Sequence, residues 1–382
     1  MDIYERSLKL HEELSGETGA AARRHISTNE DLSALYFPGV TEPCRRILED
    51  KENIYRYTGK PGTVAVVTDG SEVPGLGNAG PFAALPVLEA RAVIYREFGG
   101  VNAVPICLNT QNTDDIIDTI AKISPAFGGV SLGCISSPRI FEIEDRLIKA
   151  LDIPVFLDDV HGTAIALLAA VTNALRLSPR NRRSAKVVIN GAGAAGIATA
   201  KLMLSAGFSN VILCGSSGII NKNSPGLDSP QREITGYVNK DGLTGDLADA
   251  IRGAVIYIGF SPSNAVTEEM IRSMEKDPIV FTMTCPEPEI SPESAKNAGA
   301  LVFGAMCGDH PNRIDSTPVS PGIFKGALFS RAVVINERMK IAAAEALSGL
   351  IGDSDLSPDH IITDVFEPEA AFLVSRAVSE NV

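Results

Sequence analysis

The sequence predicts an α/β protein of two domains. Three observations carry that expectation. Short β-branched runs alternate with longer helical segments, which is the pattern of βα units and a mainly parallel sheet. A polar, basic hinge, "SPRNRRSAK" (Ser178–Lys186), divides the alternation into two series. The length of 382 residues is enough for two cores of ordinary size.

In chain order, "MDIYERSLKLHEELSG" has the charged, amphipathic pattern of a helix and lacks the apolar centre of a signal peptide. From about residue 62, "TVAVVTDG", "AVIYREF", "AVPICLN", "GGVSLG" and "IPVFLDD" read as strands. The segments "NTDDIIDTIAKI" and "PRIFEIEDRLIKALD" carry helical periodicity between them. Next comes "GTAIALLAAVTNALRL", a nearly all-apolar helix that must be buried, where the two domains meet. After the hinge, "KVVIN", "NVILCG", "AVIYIGF", "PIVFTM" and "ALVFG" repeat the strand pattern. The segments "RMKIAAAEALSGLI" and "DHIITDVFEPEAAFLVSRAVSE" read as helices capping the second domain. The boundary falls between residues 160 and 185, giving an N-terminal domain of residues 1–160 and a Rossmann-like domain of 161–382.

Composition excludes several classes. A net charge of −13 disfavours a nucleic acid or an anionic membrane as partner. No apolar run approaches the roughly 20 residues that span a bilayer, and the expected location is the cytoplasm. The six cysteines are widely spaced without a CxxC pair, which fits reduced thiols better than a disulfide framework.

The strongest motif is "VVINGAGAAGIATAKLML" (Val187–Leu204). Gly191, Gly193 and Gly196 form GxGxxG directly after a strand and at the start of a helix, with Ala194 and Ala195 between them. The first glycine makes the tight turn, the second lets the backbone approach a pyrophosphate, and the third permits close helix packing. The helix N-terminus then offers N–H groups to the phosphates. The acid that usually receives the ribose belongs about 20 residues on, at the end of "VILC", where Gly215, Ser216 and Ser217 stand instead. NAD and NADP both remain open as the cofactor. A second GxGxxG, Gly75, Gly77 and Gly80, lies in a longer loop containing Pro74 and is a weaker candidate for the phosphates.

Over nearly its whole length the chain resembles the malic enzymes in their short bacterial form. The resemblance rests on "DLSALYFPGVTEPC", "VAVVTDGSEVPGLGNAGPFAALPVLEARAV", "FGGVSLGCISSPRIFEIEDRL", "IPVFLDDVHGTAIALLAA", "VVINGAGAAGIATAKLML" and "SPGIFKGAL". It implies oxidation and decarboxylation of malate with NAD or NADP and a divalent metal, in a homodimer whose site lies between the two domains. Tyr36 matches the family's catalytic tyrosine, and Asp158 and Asp159 match the "DD…GTA" aspartates, one of them, Asp159, a residual metal ligand. Arg91 stands where the family has its catalytic lysine, and a guanidinium is always protonated and cannot serve as base. Gly133 and Cys134 replace two carboxylate ligands, so a divalent metal is not expected. In the substrate pocket, Cys285, Asp315 and Ser316 replace family asparagines, and an aspartate facing a substrate carboxylate repels it.

The expected site thus comprises Tyr36, Arg91 and Asp159 as catalytic residues, with Cys134, Asp158, Cys285, Asp315 and Ser316 around a small acid. Arg91 should point into the cleft, pair with Asp159, Asp158 or Asp315, and supply the charge of the missing metal. Cys134, Cys285 and Cys307 are an alternative soft-metal cluster, but cysteine is more often a small buried apolar residue. His161 either orients Asp159 or is structural. His310 has no visible catalytic partner, and Glu142 and Glu144 read as a solvated helix face or as ion partners. Three functions stay in view: a divergent oxidoreductase or decarboxylase acting on an acid other than malate, a catalytically silent nucleotide-binding member, and a conventional malic enzyme.

Overall fold

The computed structural model describes residues 3–14, 18, 19, 22 and 24–382. Two sheets form its skeleton. The first contains β1 (Thr63–Thr68), β2 (Asn102–Cys107), β3 (Gly129–Leu132) and β4 (Val155–Leu157), all parallel and in the order β2-β1-β3-β4. The second contains β5 (Lys186–Asn190), β6 (Asn210–Gly215), β7 (Gly218–Ile219), β8 (Ile256–Gly259), β9 (Ile279–Thr282) and β10 (Val302–Ala305), in the order β10-β9-β8-β5-β6-β7. Only β7 is antiparallel, a short return beside β6 that the sequence pattern did not announce. Strands buried on both faces are expected where crossover helices cover both sides, and β8, β9 and β10 are buried throughout.

One strand expectation is corrected. "AVIYREF" lies inside the helix Gly80–Gly99. Its β-branched pair, Val93 and Ile94, belongs to a longer pattern in which Ala84, Leu88, Ala92, Tyr95 and Gly99 are buried at steps of three and four. That period wins over local β propensity because it gives one continuous face to the core. Gly100 closes the helix in the left-handed region at φ 68°.

The all-apolar helix is Thr163–Arg176, buried except at Thr172 and Arg176. It packs against the helices Ala194–Ser205 and Glu337–Ser348 and joins one hydrophobic core that runs through both sheets. The last helices do not simply cap the second sheet. Ser320–Ser330 and Ala370–Ser379 pack on each other and on Gly80–Gly99 of the first unit. There the Phe324 ring lies 5.3 Å from Tyr95 and 5.9 Å from Phe156.

Candidate active site in the cleft between the sheets

The carboxyl ends of both sets of strands face a cleft of about 690 Å³. Ligands bind at that end of open α/β sheets because the loops and helix N-termini gather there. One wall is the loop after β5, where Gly193, Ala194, Ala195 and Gly196 line the cleft. Gly191 holds φ 121°, and a β-carbon there would lie 2.7 Å from the Phe260 carbonyl oxygen, so the tight turn requires glycine. Gly193 faces open space, with nothing within 4 Å of where a β-carbon would sit. A diphosphate can approach its backbone, and these residues fit a dinucleotide. Gln231 donates its side-chain amide to the Ala192 carbonyl at 3.0 Å and braces the loop from behind. Gly215 stands beside Ala192, and Ser216 and Ser217 are exposed in the turn leading to β7.

Opposite lies the segment Glu72–Gly77, so the second glycine pattern also borders the cleft, through Gly75 and Gly77. The Arg139 guanidinium fixes this side by donating to the buried Asp69 carboxylate at 2.6 Å and to Ser71 Oγ at 2.8 Å. Phe260, Met283, Thr284, Cys285 and Met306 complete the wall from the ends of β8, β9 and β10. Glu72, Phe260, Met283, Thr284 and Met306 carry no motif; only their position one to four residues beyond a strand end marks them. Of the charged side chains lining the cleft, Glu72 and Asp159 are acids and none is basic.

Asp158 and Asp159 open the π-helical turn Asp158–Gly162 that leads from β4 into the buried helix. Arg91 reaches them both. Its Nε lies 3.0 Å from Asp158 Oδ2, and its Nη2 pairs with Asp159 Oδ1. Burial alone would lower the Arg91 pKa, but the carboxylates of Asp159 and Asp158 outweigh it and hold the guanidinium above its usual range. Asp158 is pushed up by burial in spite of Arg91 and of a hydrogen bond from Ser320 Oγ. Asp159 Oδ2 accepts the Cys134 N–H at 2.9 Å. The third guanidinium nitrogen, Nη1, is buried without a partner. It occupies the space that a side chain at position 133 would take: a β-carbon on Gly133 would fall inside its radius and 2.6 Å from Asp159 Oδ2.

These donors do not fit a hard divalent cation. The gap between the two aspartates is filled by the guanidinium, Gly133 offers no ligand, and burial pushes the Cys134 thiol up to about 12, so it stays protonated. Among the described residues no three His, Cys, Asp or Glu side chains converge as a metal would need. Arg91 itself stands behind Asp159 rather than in the cleft, and it lines a small cavity of about 200 Å³ with Asp158, Ser316 and Ser320.

The remaining sequence candidates divide. Cys134, Asp159 and Cys285 meet in the cleft. Asp315 does not join them: it pairs with Arg313 at 2.8 Å, accepts the Thr317 N–H at 2.8 Å, and lines a second cavity of about 730 Å³ with His310 and His360. His161 is held by Glu144 at 2.9 Å and lies 3.3 Å from the Lys340 ammonium, away from Asp159. Tyr36 is 69% exposed, and its helix, Asn29–Leu35, buries no residue. The expectation of reduced thiols is corrected at one pair, since Cys285 and Cys307 are joined in a disulfide. Parallel pairing of β9 with β10 aligns Thr282 with Ala305 and brings the two following loops together, so two members of the expected cysteine cluster do meet, bonded to each other rather than free to hold a metal.

Glu289 is a further residue that no motif marked. It is fully buried, its Oε1 accepts Ser261 N–H at 2.6 Å and Ser261 Oγ–H at 2.9 Å, and its Oε2 has no partner. Burial pushes its pKa up to about 7, against the hydrogen bonds from Ser261. A raised folded pKa contributes stability that is complete below the unfolded value and is lost as pH rises through the folded one. Wild-type stability is therefore expected to fall by a few kcal/mol between about pH 5 and pH 8, and Glu289→Gln to flatten that slope. Urea denaturation across that range reads it; an unchanged slope in the variant rejects the assignment.

Known proteins resemble this chain in two stretches. Residues 16–148 match the malic enzyme N-terminal domain, and residues 160–299 match the malic enzyme NAD binding domain. The chain is 46% identical over 381 residues to a bifunctional malic/malolactic enzyme of Bacillus subtilis, covering 100% of this chain and 93% of that protein. It is 43% identical over 380 residues to an NAD-dependent malic enzyme of Geobacillus stearothermophilus, covering 100% and 79%. Among solved structures, an NAD-dependent malic enzyme from Thermotoga maritima superposes with a TM-score of 0.95 at 38% identity, covering 100% of both chains. Among the described residues, no helix is long and apolar enough to cross a membrane.

Proposed function

The chain belongs to the malic enzyme family, and from that premise we propose that it oxidises a small hydroxy acid in the cleft, with a dinucleotide seated on Gly191–Gly196. It is an NAD(P)-binding oxidoreductase and decarboxylase by family. The observation that carries the proposal is the single cleft in which Gly193 to Gly196 and Asp159 face one another. When bound, the dinucleotide supplies the hydride acceptor. The chain's own residues do the rest: the loop N–H groups hold the diphosphate, the apolar side chains Phe260, Met283 and Met306 exclude water, and Asp159 is the carboxylate placed to take a hydroxyl proton. The fixed charge of Arg91 orients Asp159 and takes no proton itself.

Two readings of the acid part at Arg91. The site's donor set favours a metal-independent reaction on an acid other than malate, because the guanidinium fills the place between the aspartates. The relatives, malic enzymes at 35–46% identity, favour ordinary malate oxidation. Calorimetric titration with NAD and NADP comes first: binding should be submillimolar, and Gly193→Asp should weaken it at least tenfold by putting a carboxylate where the diphosphate lies. Turnover of malate is then assayed with manganese and with magnesium. A rate near the common enzyme range of about 10 per second establishes the conventional reading; failure of both nucleotides to bind rejects the cofactor site.

We also propose a homodimer. The cleft has no basic side chain of its own, and Tyr36 lies exposed beside a helix, Thr41–Glu49, that buries no residue and carries Arg45 and Arg46. A second copy supplies the tyrosine, and Arg45 and Arg46 bring a counter-charge for the acid only by leaving their pairs with Glu42. Sedimentation should give twice the chain mass, and Leu35→Glu, on an exposed apolar position of the same arm, should return it to one. We propose a cytoplasmic location, the expectation drawn from the composition.

A further inference from the structure

The Cys285–Cys307 bond stands at a junction of the second sheet. Cys285 lies three residues beyond β9 and Cys307 two beyond β10, with Cα atoms 5.7 Å apart, inside the usual spacing for a disulfide. On one side the bonded loops line the cleft through Met283, Thr284, Cys285 and Met306. On the other, the chain passes within a residue into the second cavity, which Gly308, Asp309 and His310 line. The segment Met306–Pro311 is an excursion closed at its neck by the Ala305 N–H, which donates to the Asn312 carbonyl at 3.1 Å, and by the Ile314 N–H, which donates to the Ala305 carbonyl at 2.9 Å. Inside the neck, Gly308 turns at φ 102°, and Gly308, Asp309 and Pro311 are exposed. The Cys285 loop is anchored independently, since Thr284 Oγ1 donates to the Ser261 carbonyl at 2.6 Å. The disulfide therefore ties this excursion, otherwise held at its neck and by the His310 ring packed on Phe303, to the Cys285 loop, across the wall shared by two cavities. Neither cysteine is buried, so a small thiol or disulfide can reach the pair.

We propose that Cys285 and Cys307 form a reversible dithiol–disulfide modification site, and that its redox state sets how firmly the excursion walls the cleft. Closure is thiol–disulfide exchange with a low-molecular-weight disulfide. One cysteine thiolate attacks it, displacing one thiol and leaving a mixed disulfide; the second cysteine then displaces the other. In sum two cysteine thiols lose two electrons and two protons, and one external disulfide becomes two thiols. Opening is the reverse. The effect on nucleotide affinity rests on the dinucleotide reading given above, whereas the chemistry of the two thiols does not.

The test holds the full-length protein in glutathione buffers poised oxidised and reduced. Alkylation and mass measurement count free thiols, amide hydrogen exchange follows residues 306–312, and fluorescence titration gives Kd for the reduced nucleotides. Two fewer alkylated thiols are expected in the oxidised buffer, with exchange of the excursion at least tenfold faster and Kd at least threefold weaker after reduction. Cys307→Ser should exchange like the reduced wild type in both buffers, and reduction of the unmodified protein controls for any misfolding of that variant. The proposal is overturned if both thiols stay free in oxidised glutathione, or if the bond forms and exchange in the excursion is unchanged. An exchange response without nucleotide binding in either buffer upholds the switch and rejects the dinucleotide reading instead.

Discussion

Arg91→Ala lowers the unfolding free energy by about 3–5 kcal/mol at neutral pH, the expected loss when one member of a buried ion cluster is removed. The guanidinium is 8% exposed as a side chain and Asp158 only 5%, so the variant leaves two carboxylates facing each other with no cation between them. The sign of the pH dependence follows from Asp158. Burial already raises its pKa above the unfolded value of 3.8, and loss of Arg91 raises it further. Its stabilising contribution is then complete below about pH 4 and is lost as pH rises through the raised value. The deficit of the variant should accordingly be small near pH 4 and full near pH 8. Arg91→Lys should recover part of it, because one ammonium cannot bridge two carboxylates as a planar fork does. Urea denaturation at both pH values measures this; a loss under about 1 kcal/mol, or one that ignores pH, would show that water already solvates the aspartates.

Gly133→Ala is the second large effect, about 2–3 kcal/mol, from crowding rather than from lost charge. The added methyl meets Arg91 Nη1 and lies 2.6 Å from Asp159 Oδ2, and both are held by ion pairs and cannot swing aside cheaply. The cost should depend on the occupant of the gap. In an Arg91→Lys background the methyl has room, and a double-mutant cycle should return a coupling of about 1–2 kcal/mol in favour of the double variant. Additivity within about 0.5 kcal/mol would mean that the guanidinium and position 133 do not compete for space. A triple variant, Arg91→Lys with Gly133→Glu and Cys134→Asp, extends the argument to chemistry. It should bind manganese by calorimetry where the parent does not, and binding by the parent would remove the premise.

The features legible in the sequence were those that backbone geometry imposes. The glycines of the β5 loop must be glycine where φ reaches 121° and where a β-carbon would strike Phe260, so the motif stands in the primary structure. Arg91 was legible too, because two neighbouring aspartates without a metal demand a cation, and the helix Gly80–Gly99 carries it to them. Less legible was anything decided by sheet order. The meeting of Cys285 with Cys307 follows from β9 lying beside β10, and the separation of Asp315 from Asp159 follows from a turn that spends the Asp315 carboxylate on Arg313 and Thr317. The misread run "AVIYREF" shows the same limit at shorter range. Seven residues favoured a strand, but twenty residues supplied a helical face.

The fit of Arg91 against Gly133 also constrains substitution. With arginine at 91, a carboxylate cannot be placed at 133 by one substitution, since the new side chain would enter occupied space beside two charges that need the arginine. Nor can the arginine be discarded first, since the buried Asp158 carboxylate would lose its cation beside Asp159. Either single change passes through a less stable protein, so positions 91 and 133 can be exchanged only together.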